Sequence, residues 1–358
     1  GEAMFSKVLI TGATGMIGGE IALQLANLGI KEIRCLVKGF DPQTRLMTRL
    51  RKSRLFKDGV SDQCIKAEPG DLRLDDLGVD GEHLHNIDLI IHSAAETSFL
   101  KKESCTEINV NGTKRVIALA QKLKNKPLLC YISTACNVGA VVDTCLKEDE
   151  GCRPDAVHHN DYTRSKAIGE TLIRQSGLPY LIIRPSIILS DSVADRVFAR
   201  QIFWFVPLLW RFGAVPINAQ AKEDAIPVSF FVEALGKLLM TNRSYDCYNI
   251  SNGKSSCSYG EWVEIAKPIL GHSTCPLFIK PENWGQLEQK QYVVTSEQKQ
   301  IFNSFRHYLP FWNMNVTFDN ERLFADVPDL KIPEPADYLK LILDQITTEE
   351  AVRESLTP

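Results

Sequence analysis

The sequence predicts an α/β fold, a doubly wound parallel sheet followed by a smaller, mixed C-terminal domain. Three observations carry this. Apolar runs of strand length recur at Val8–Ile10, Ile33–Val37, Leu89–His92, Leu128–Ile132 and Tyr180–Pro185, with helically spaced stretches between them. The first run breaks into Gly12, Gly15 and Gly18 and then into Ile17, Ile21, Leu25 and Leu28, which share one helix face. Small and polar residues follow the runs directly, at the carboxyl ends of strands, where such sheets bind ligands.

The bulk properties narrow the field. At 358 residues the chain suffices for one large or two modest domains, and its net charge of −3 leaves no basic surplus for a nucleic-acid partner. Ten cysteines are scattered with no Cys-x-x-Cys pair, and Cys35 and Cys130 lie inside apolar runs. Buried free thiols in a reducing, cytoplasmic setting are expected, rather than disulfides or zinc. No secretory leader is expected, because the first strand begins almost at the first residue, and no apolar run reaches membrane-span length. Residues 5–190 are read as the nucleotide-binding domain, with 226–255 returning to it. Residues 191–358 are read as a mostly helical substrate-binding region.

The glycine-rich turn is the first candidate site. Glycine permits a tight turn and close backbone approach, and the following helix N-terminus offers unpaired N–H groups to a pyrophosphate. Contacts are expected from Gly12, Thr14, Gly15, Met16, Ile17 and Gly18. The second strand ends in Val37-Lys38-Gly39, where NAD-binding units commonly carry an acid for the ribose 2′-hydroxyl. Lys38 in its place, with Arg45, Arg49 and Arg51 following, favours a 2′-phosphate and hence NADP(H) over NAD(H). The alternative is that these arginines line a solvated helix face.

Cys64–Glu68 reads as the third strand, and Asp71-Leu72 beyond it offers a carboxylate for the adenine amino group. Ala94 and Ala95, after the fourth strand, let a ligand pass close over the sheet edge, and Asn109 opens a helix and could brace the strands beside the site. Beyond Ser190 the alternation fades. Gln201–Trp210 is a dense aromatic and apolar patch, too short for a bilayer, that reads as core, as a dimer contact or as a wall for a greasy substrate. Ile226–Leu239 reads as a turn and amphipathic helix, and Tyr248–Ile250 as a further strand.

The reactive pair is Tyr162 and Lys166, four apart and so one helical turn from each other. A nearby ammonium, with the positive nicotinamide of the oxidised cofactor, is expected to lower the phenol pKa. Tyr162 could then pass a proton to or from an oxygen while hydride moves at the adjacent carbon. Thr134, at the end of the fifth strand, is favoured as the catalytic hydroxyl. Ser133 is its rival, since a serine at a strand end usually serves local backbone.

The Gly12/Gly15/Gly18 turn, Asp71-Leu72, Ala94-Ala95, Asn109, Ser133-Thr134, Tyr162/Lys166 and Arg184-Pro185-Ser186 occur in the order found in the extended short-chain dehydrogenase/reductases, which this chain resembles over about residues 7–255. Within that superfamily, Gly70-Asp-Leu-Arg with Leu77-Gly78, His92-Ser-Ala-Ala-Glu-Thr-Ser-Phe99, Tyr131-Ile-Ser-Thr-Ala135 and Ile183-Arg-Pro-Ser-Ile187 are similar to the fatty acyl-CoA reductase and thioester reductase branch. So is the basic segment Arg45–Arg54. The resemblance implies an NAD(P)-binding Rossmann domain, a triad of Thr134, Tyr162 and Lys166, and Pro185-Ser186 near the nicotinamide. It further implies NADPH-dependent reduction of an acyl thioester, on coenzyme A or a carrier protein, to an aldehyde or alcohol. Homodimers are common in the superfamily. Cys136-Asn137-Val138-Gly139 departs from the branch, which often has a tyrosine there, and its turn resembles nucleotide-sugar epimerases. The rivals are an epimerase or dehydratase with retained NAD, a ketone or hydroxysteroid dehydrogenase, and a non-catalytic cofactor sensor or scaffold.

Overall fold

The computed structural model describes residues 4–94, 102–138, 141–150, 158, 161–195, 205–346 and 353. Its centre is a seven-stranded parallel sheet: β1 (Lys7–Thr11), β2 (Glu32–Val37), β3 (Ile65–Pro69), β4 (Leu89–His92), β5 (Leu128–Ile132), β6 (Tyr180–Pro185) and β7 (Cys247–Ile250). The spatial order is β7-β6-β5-β4-β1-β2-β3. The chain therefore reverses direction between β1 and β4, and the crevice beyond their carboxyl ends is the switch point of the sheet.

Both faces of this sheet are covered, so its strands are apolar on both sides rather than alternating with polar residues. Val8 and Ile10 of β1 face one core with Ile21 and Leu25 of α1 (Met16–Asn27), and with Phe231 and Leu235 of a later helix, Val228–Leu239. Leu9, between them, faces the opposite core with Val116, Leu119 and Ile173. The latter three come from Gly112–Lys122 and from the long helix Asp161–Arg174.

A further core, away from the strands of this sheet, is built differently. Phe205, Trp262, Phe305, Trp312 and Tyr338 come from widely separated segments and meet with Leu208, Ile217, Ile301 and Ile342. Trp312 and Trp262 are each 1% exposed, so large rings fill this core. The aromatic stretch expected at 201–210 divides here. Val206–Arg211 is a 3₁₀ turn whose Val206, Leu208 and Leu209 are buried in this core, and residues 201–204 lie outside the described residues. Among the described residues no helix is long and apolar enough to cross a membrane.

Candidate active site

The glycine turn forms as its residue types require. Gly12 has φ +82°, and a Cβ there would lie 2.7 Å from the Ala94 nitrogen, so β4 approaches the turn closely. A Cβ on Gly18 would lie 2.2 Å from the Gly12 carbonyl oxygen. Only glycine lets α1 leave the turn at this angle. Gly15 caps α1 with no side-chain acceptor, and no acid stands in the first turn. The N-terminal N–H groups and the positive end of the dipole are thus open to an anion.

A cavity of about 600 Å³ opens over the turn. Gly12, Thr14, Gly15, Met16, Ile17 and Gly18 border it, as do Lys38 and Arg45 beyond β2, Asp71 and Leu72 beyond β3, Ala94 beyond β4, Ser133 beyond β5, and Tyr162 and Lys166. Asn109, Thr134, Pro185 and Ser186 do not border it, and Ala95 lies outside the described residues. One 600 Å³ space therefore joins a helix N-terminus to a tyrosine and a lysine from a helix far along the chain.

The basic residues after β2 separate into different roles. The Arg45 guanidinium donates to the Lys38 carbonyl, which holds both residues at the cavity edge. Arg49 turns away from it: it is buried, donates to the Gly15 and Met16 carbonyls at 3.1 and 2.9 Å, and meets Glu20 at 3.1 Å. Arg51 lies over the Phe56 ring at 4.8 Å.

Tyr162 and Lys166 sit on the helix Asp161–Arg174, and Lys166 reaches Ile132, the last residue of β5. Lys166 Nζ donates to the Ile132 carbonyl at 2.7 Å and lies 4.7 Å from the Tyr131 ring centroid. Burial lowers its pKa to about 8, while Glu170 one turn on opposes the fall. The expected lowering of the Tyr162 pKa is not what this environment does. Without the cofactor, burial pushes the phenol well up by removing water from the anion, and the neighbouring Cys136 and Cys105 add to the rise. The resting side chain is a protonated phenol, the form that can donate to an oxygen.

The two hydroxyls after β5 have different surroundings. Ser133 is buried and donates to Glu170 Oε2 at 2.6 Å. Glu170 in turn meets Arg184 at 2.8 Å, so Ser133 belongs to a buried charge cluster. Thr134 accepts from the Cys136 backbone N–H at 3.2 Å, a bond that consumes a lone pair and not its proton.

A further set of polar residues escaped the sequence reading. His92 ends β4, where Nδ1 is 2.7 Å from Thr11 Oγ1 and Nε2 is 2.9 Å from Thr113 Oγ1. Thr11 accepts from the Ser93 and Ala94 N–H groups, and Thr113 donates to the Asn109 carbonyl. His92 must then carry its proton on Nε2, and burial beside Lys166 drops its pKa to about 3. Asn109 donates to Ser165 Oγ at 2.9 Å, and Ser165 donates to the Tyr162 carbonyl at 2.7 Å. The brace expected of Asn109 thus ties its own helix to the one bearing Tyr162. A histidine closing an otherwise apolar strand was the available signal.

Residues 10–235 match the NAD-binding family model described as male sterility protein. The chain is 31% identical over 269 residues to the nonribosomal peptide synthetase asaC of Aspergillus flavus, covering 67% of this chain and 25% of the synthetase. It is 29% identical over 234 residues to the fatty acyl-CoA reductase wat of Drosophila melanogaster, covering 52% of this chain and 44% of that enzyme. The terminal R domain from the myxalamid PKS-NRPS biosynthetic pathway shares the fold, with a TM-score of 0.77 at 22% identity over 96% of this chain and 91% of that one. The chain spans a quarter or less of the large synthetases it matches.

Proposed function

This chain belongs to the male sterility protein family, an NAD(P)-dependent oxidoreductase of the extended short-chain dehydrogenase/reductase type, and we propose that it reduces an acyl thioester with NADPH. The observation that carries this reading is the shared cavity, in which the glycine turn, Lys38 and Arg45 border the same space as Tyr162 and Lys166. The names of its relatives, a peptide synthetase and a fatty acyl-CoA reductase, favour a thioester as the acyl donor, on a carrier protein or on coenzyme A.

The residues present suit the cofactor. Met16 and Ile17 N–H groups at the start of α1 would take the pyrophosphate, Lys38 and Arg45 the 2′-phosphate, and Asp71 the adenine edge. Bound NADPH supplies a hydride to the carbonyl carbon. The protein's part is to receive the charge that develops on the carbonyl oxygen. Protonated Tyr162, on the cavity border, donates to that oxygen, as a donor placed where charge appears. Thr134, next in the chain to the bordering Ser133, would bring a second hydroxyl proton from just outside that border. Lys166, anchored on the Ile132 carbonyl, would hold the nicotinamide ribose and replenish the proton on Tyr162. Ser133 borders the cavity, but its proton goes to Glu170, whereas Thr134 lies outside the border and its bond from the Cys136 N–H spends a lone pair. The proton left to it is the reason we take Thr134 as the working hydroxyl. Collapse of the resulting hemithioacetal would release thiol and aldehyde, and a second NADPH, bound after the first is oxidised and leaves, would supply the hydride for any further reduction to the alcohol.

The test is NADPH oxidation with a panel of acyl-CoA and carrier-bound thioesters, with products identified by mass. Aldehyde or alcohol formed in proportion to NADPH consumed supports the reading. Silence toward every thioester, with NAD copurifying and nucleotide sugars interconverted, would replace it with the epimerase alternative.

A further inference from the structure

Behind the glycine turn lies a buried ion pair that the proposed chemistry does not use. Glu20, in the second turn of α1, is fully buried. Its carboxylate takes Arg49 Nη2 at 3.1 Å, Ser53 Oγ at 2.8 Å and Ser192 Oγ at 2.9 Å. Arg49 closes the last turn of the helix Pro42–Leu50. Its guanidinium lies so flat on α1 that a Cβ on Gly19 would come within 2.6 Å of Nη2. Gly19, a fourth glycine outside the three-glycine pattern, therefore has a steric reason of its own: it makes room for this arginine.

The carbonyls that Arg49 takes are those of Gly15 and Met16. In a planar trans peptide the N–H points opposite to the C=O. Fixing the Gly15 and Met16 carbonyls from behind therefore fixes the Met16 and Ile17 N–H groups forward, and both residues border the cavity. We propose that Arg49 is a positioning residue for the dinucleotide pyrophosphate. Its fork holds the first two peptide planes of α1 in the anion-binding orientation, and Glu20 keeps the buried pair neutral so that the helix dipole alone faces the phosphates. Ser53 and Ser192 orient Glu20. They also join this device to the segment after residue 190, where Arg54 N–H donates to the Ser192 carbonyl at 3.0 Å and Lys52 meets Asp195 at 2.8 Å. Neither Arg49 nor Glu20 borders the cavity, so the effect is exerted through backbone, not by contact with ligand.

This inference rests on the dinucleotide reading of the cavity. Its test compares the parent chain with Glu20→Gln/Arg49→Met, which removes both charges and strands neither, and with Arg49→Lys, which keeps the charge without the fork. Affinities for NADPH and for adenosine 2′-monophosphate, which lacks the pyrophosphate, are measured with melting temperature and amide exchange at Met16 and Ile17. The double variant is expected to melt close to the parent yet bind NADPH about two- to thirtyfold more weakly, the scale of a weakened helix-terminus anion contact. Its adenosine 2′-monophosphate affinity should be unchanged, exchange at Met16 and Ile17 faster, and Arg49→Lys intermediate. A double variant that binds NADPH as tightly as the parent, or loses both ligands equally, would overturn the inference. A parent chain that binds neither NADPH nor NADH would overturn the dinucleotide reading, and this inference with it.

Discussion

The sheet half and the aromatic half of this molecule are stabilised by different means. In the sheet half, aliphatic and β-branched side chains such as Val8, Ile10, Ile91 and Ile183 repeat along strands whose partners are set by parallel pairing. There the residues bordering the candidate site lie just beyond the carboxyl ends of the strands and on the helix Asp161–Arg174. In the aromatic half, Phe205, Trp262, Phe305 and Trp312 arrive from segments spread over residues 205–312, and strand pairing shrinks to two-residue ladders such as Ala214–Val215 with Leu277–Phe278. A regular lattice of strands leaves local signals in the sequence, whereas a cluster of rings leaves only composition.

The sharpest way to test this contrast is at the reactive pair. Tyr162→Phe should lower turnover by about 10²–10⁴-fold, the usual worth of a positioned proton donor. NADPH affinity should stay near that of the parent, because Tyr162 serves the chemistry and the turn serves the binding. A variant that turned over normally would show that the two functions do not divide in this way.

Stability should separate the halves next. Trp312→Ala is expected to cost about 3–5 kcal/mol, since a buried ring leaves a cavity that the neighbouring Phe205 and Phe305 cannot fill. Ile91→Val, in the sheet, should cost only about 0.5–1.5 kcal/mol. Denaturant midpoints of the two variants, at unchanged slope, measure the difference. Equal losses would mean that the aromatic core is no more dependent on single residues than the sheet.

Cofactor preference comes third. Lys38→Glu should cost about tenfold to a hundredfold in NADPH affinity, the worth of one charged hydrogen bond, and should leave NADH weakened far less. Equal loss of both would remove Lys38 from the 2′-phosphate site.

The smallest effects are pH slopes of opposite sign. Burial lowers Lys166 to about 8 from 10.5, so between those values the unfolded chain binds more protons and stability rises with pH. Burial raises Glu223, in the aromatic half, from 4.5 to about 8, so there the native chain binds more protons and stability falls as pH rises. Lys166→Met should flatten the alkaline slope and Glu223→Gln the acid-to-neutral one, as read from unfolding curves across pH. A Glu223→Gln variant with an unaltered slope would assign the titration elsewhere.

By itself the sequence determined the sheet and marked the candidate residues at the ends of its strands. The five runs beginning at Val8, Ile33, Leu89, Leu128 and Tyr180 became strands, because parallel strands covered on both faces must be apolar throughout. Glycines 12, 15 and 18 marked the turn, because a Cβ at Gly12 or Gly18 would meet backbone. Residues four apart on a helix had to share a face, which put Tyr162 and Lys166 together. Only the tertiary structure decided the rest. It drew Arg49 behind the turn while leaving Arg45 at the cavity edge, a distinction that two arginines on one short helix do not announce. It committed Ser133 to Glu170, and it raised the Tyr162 pKa that the sequence reading had lowered. It also gathered Trp262 and Trp312 into one core. Each of these depends on which groups lose water and which partners arrive from far along the chain, and local spacing does not encode either.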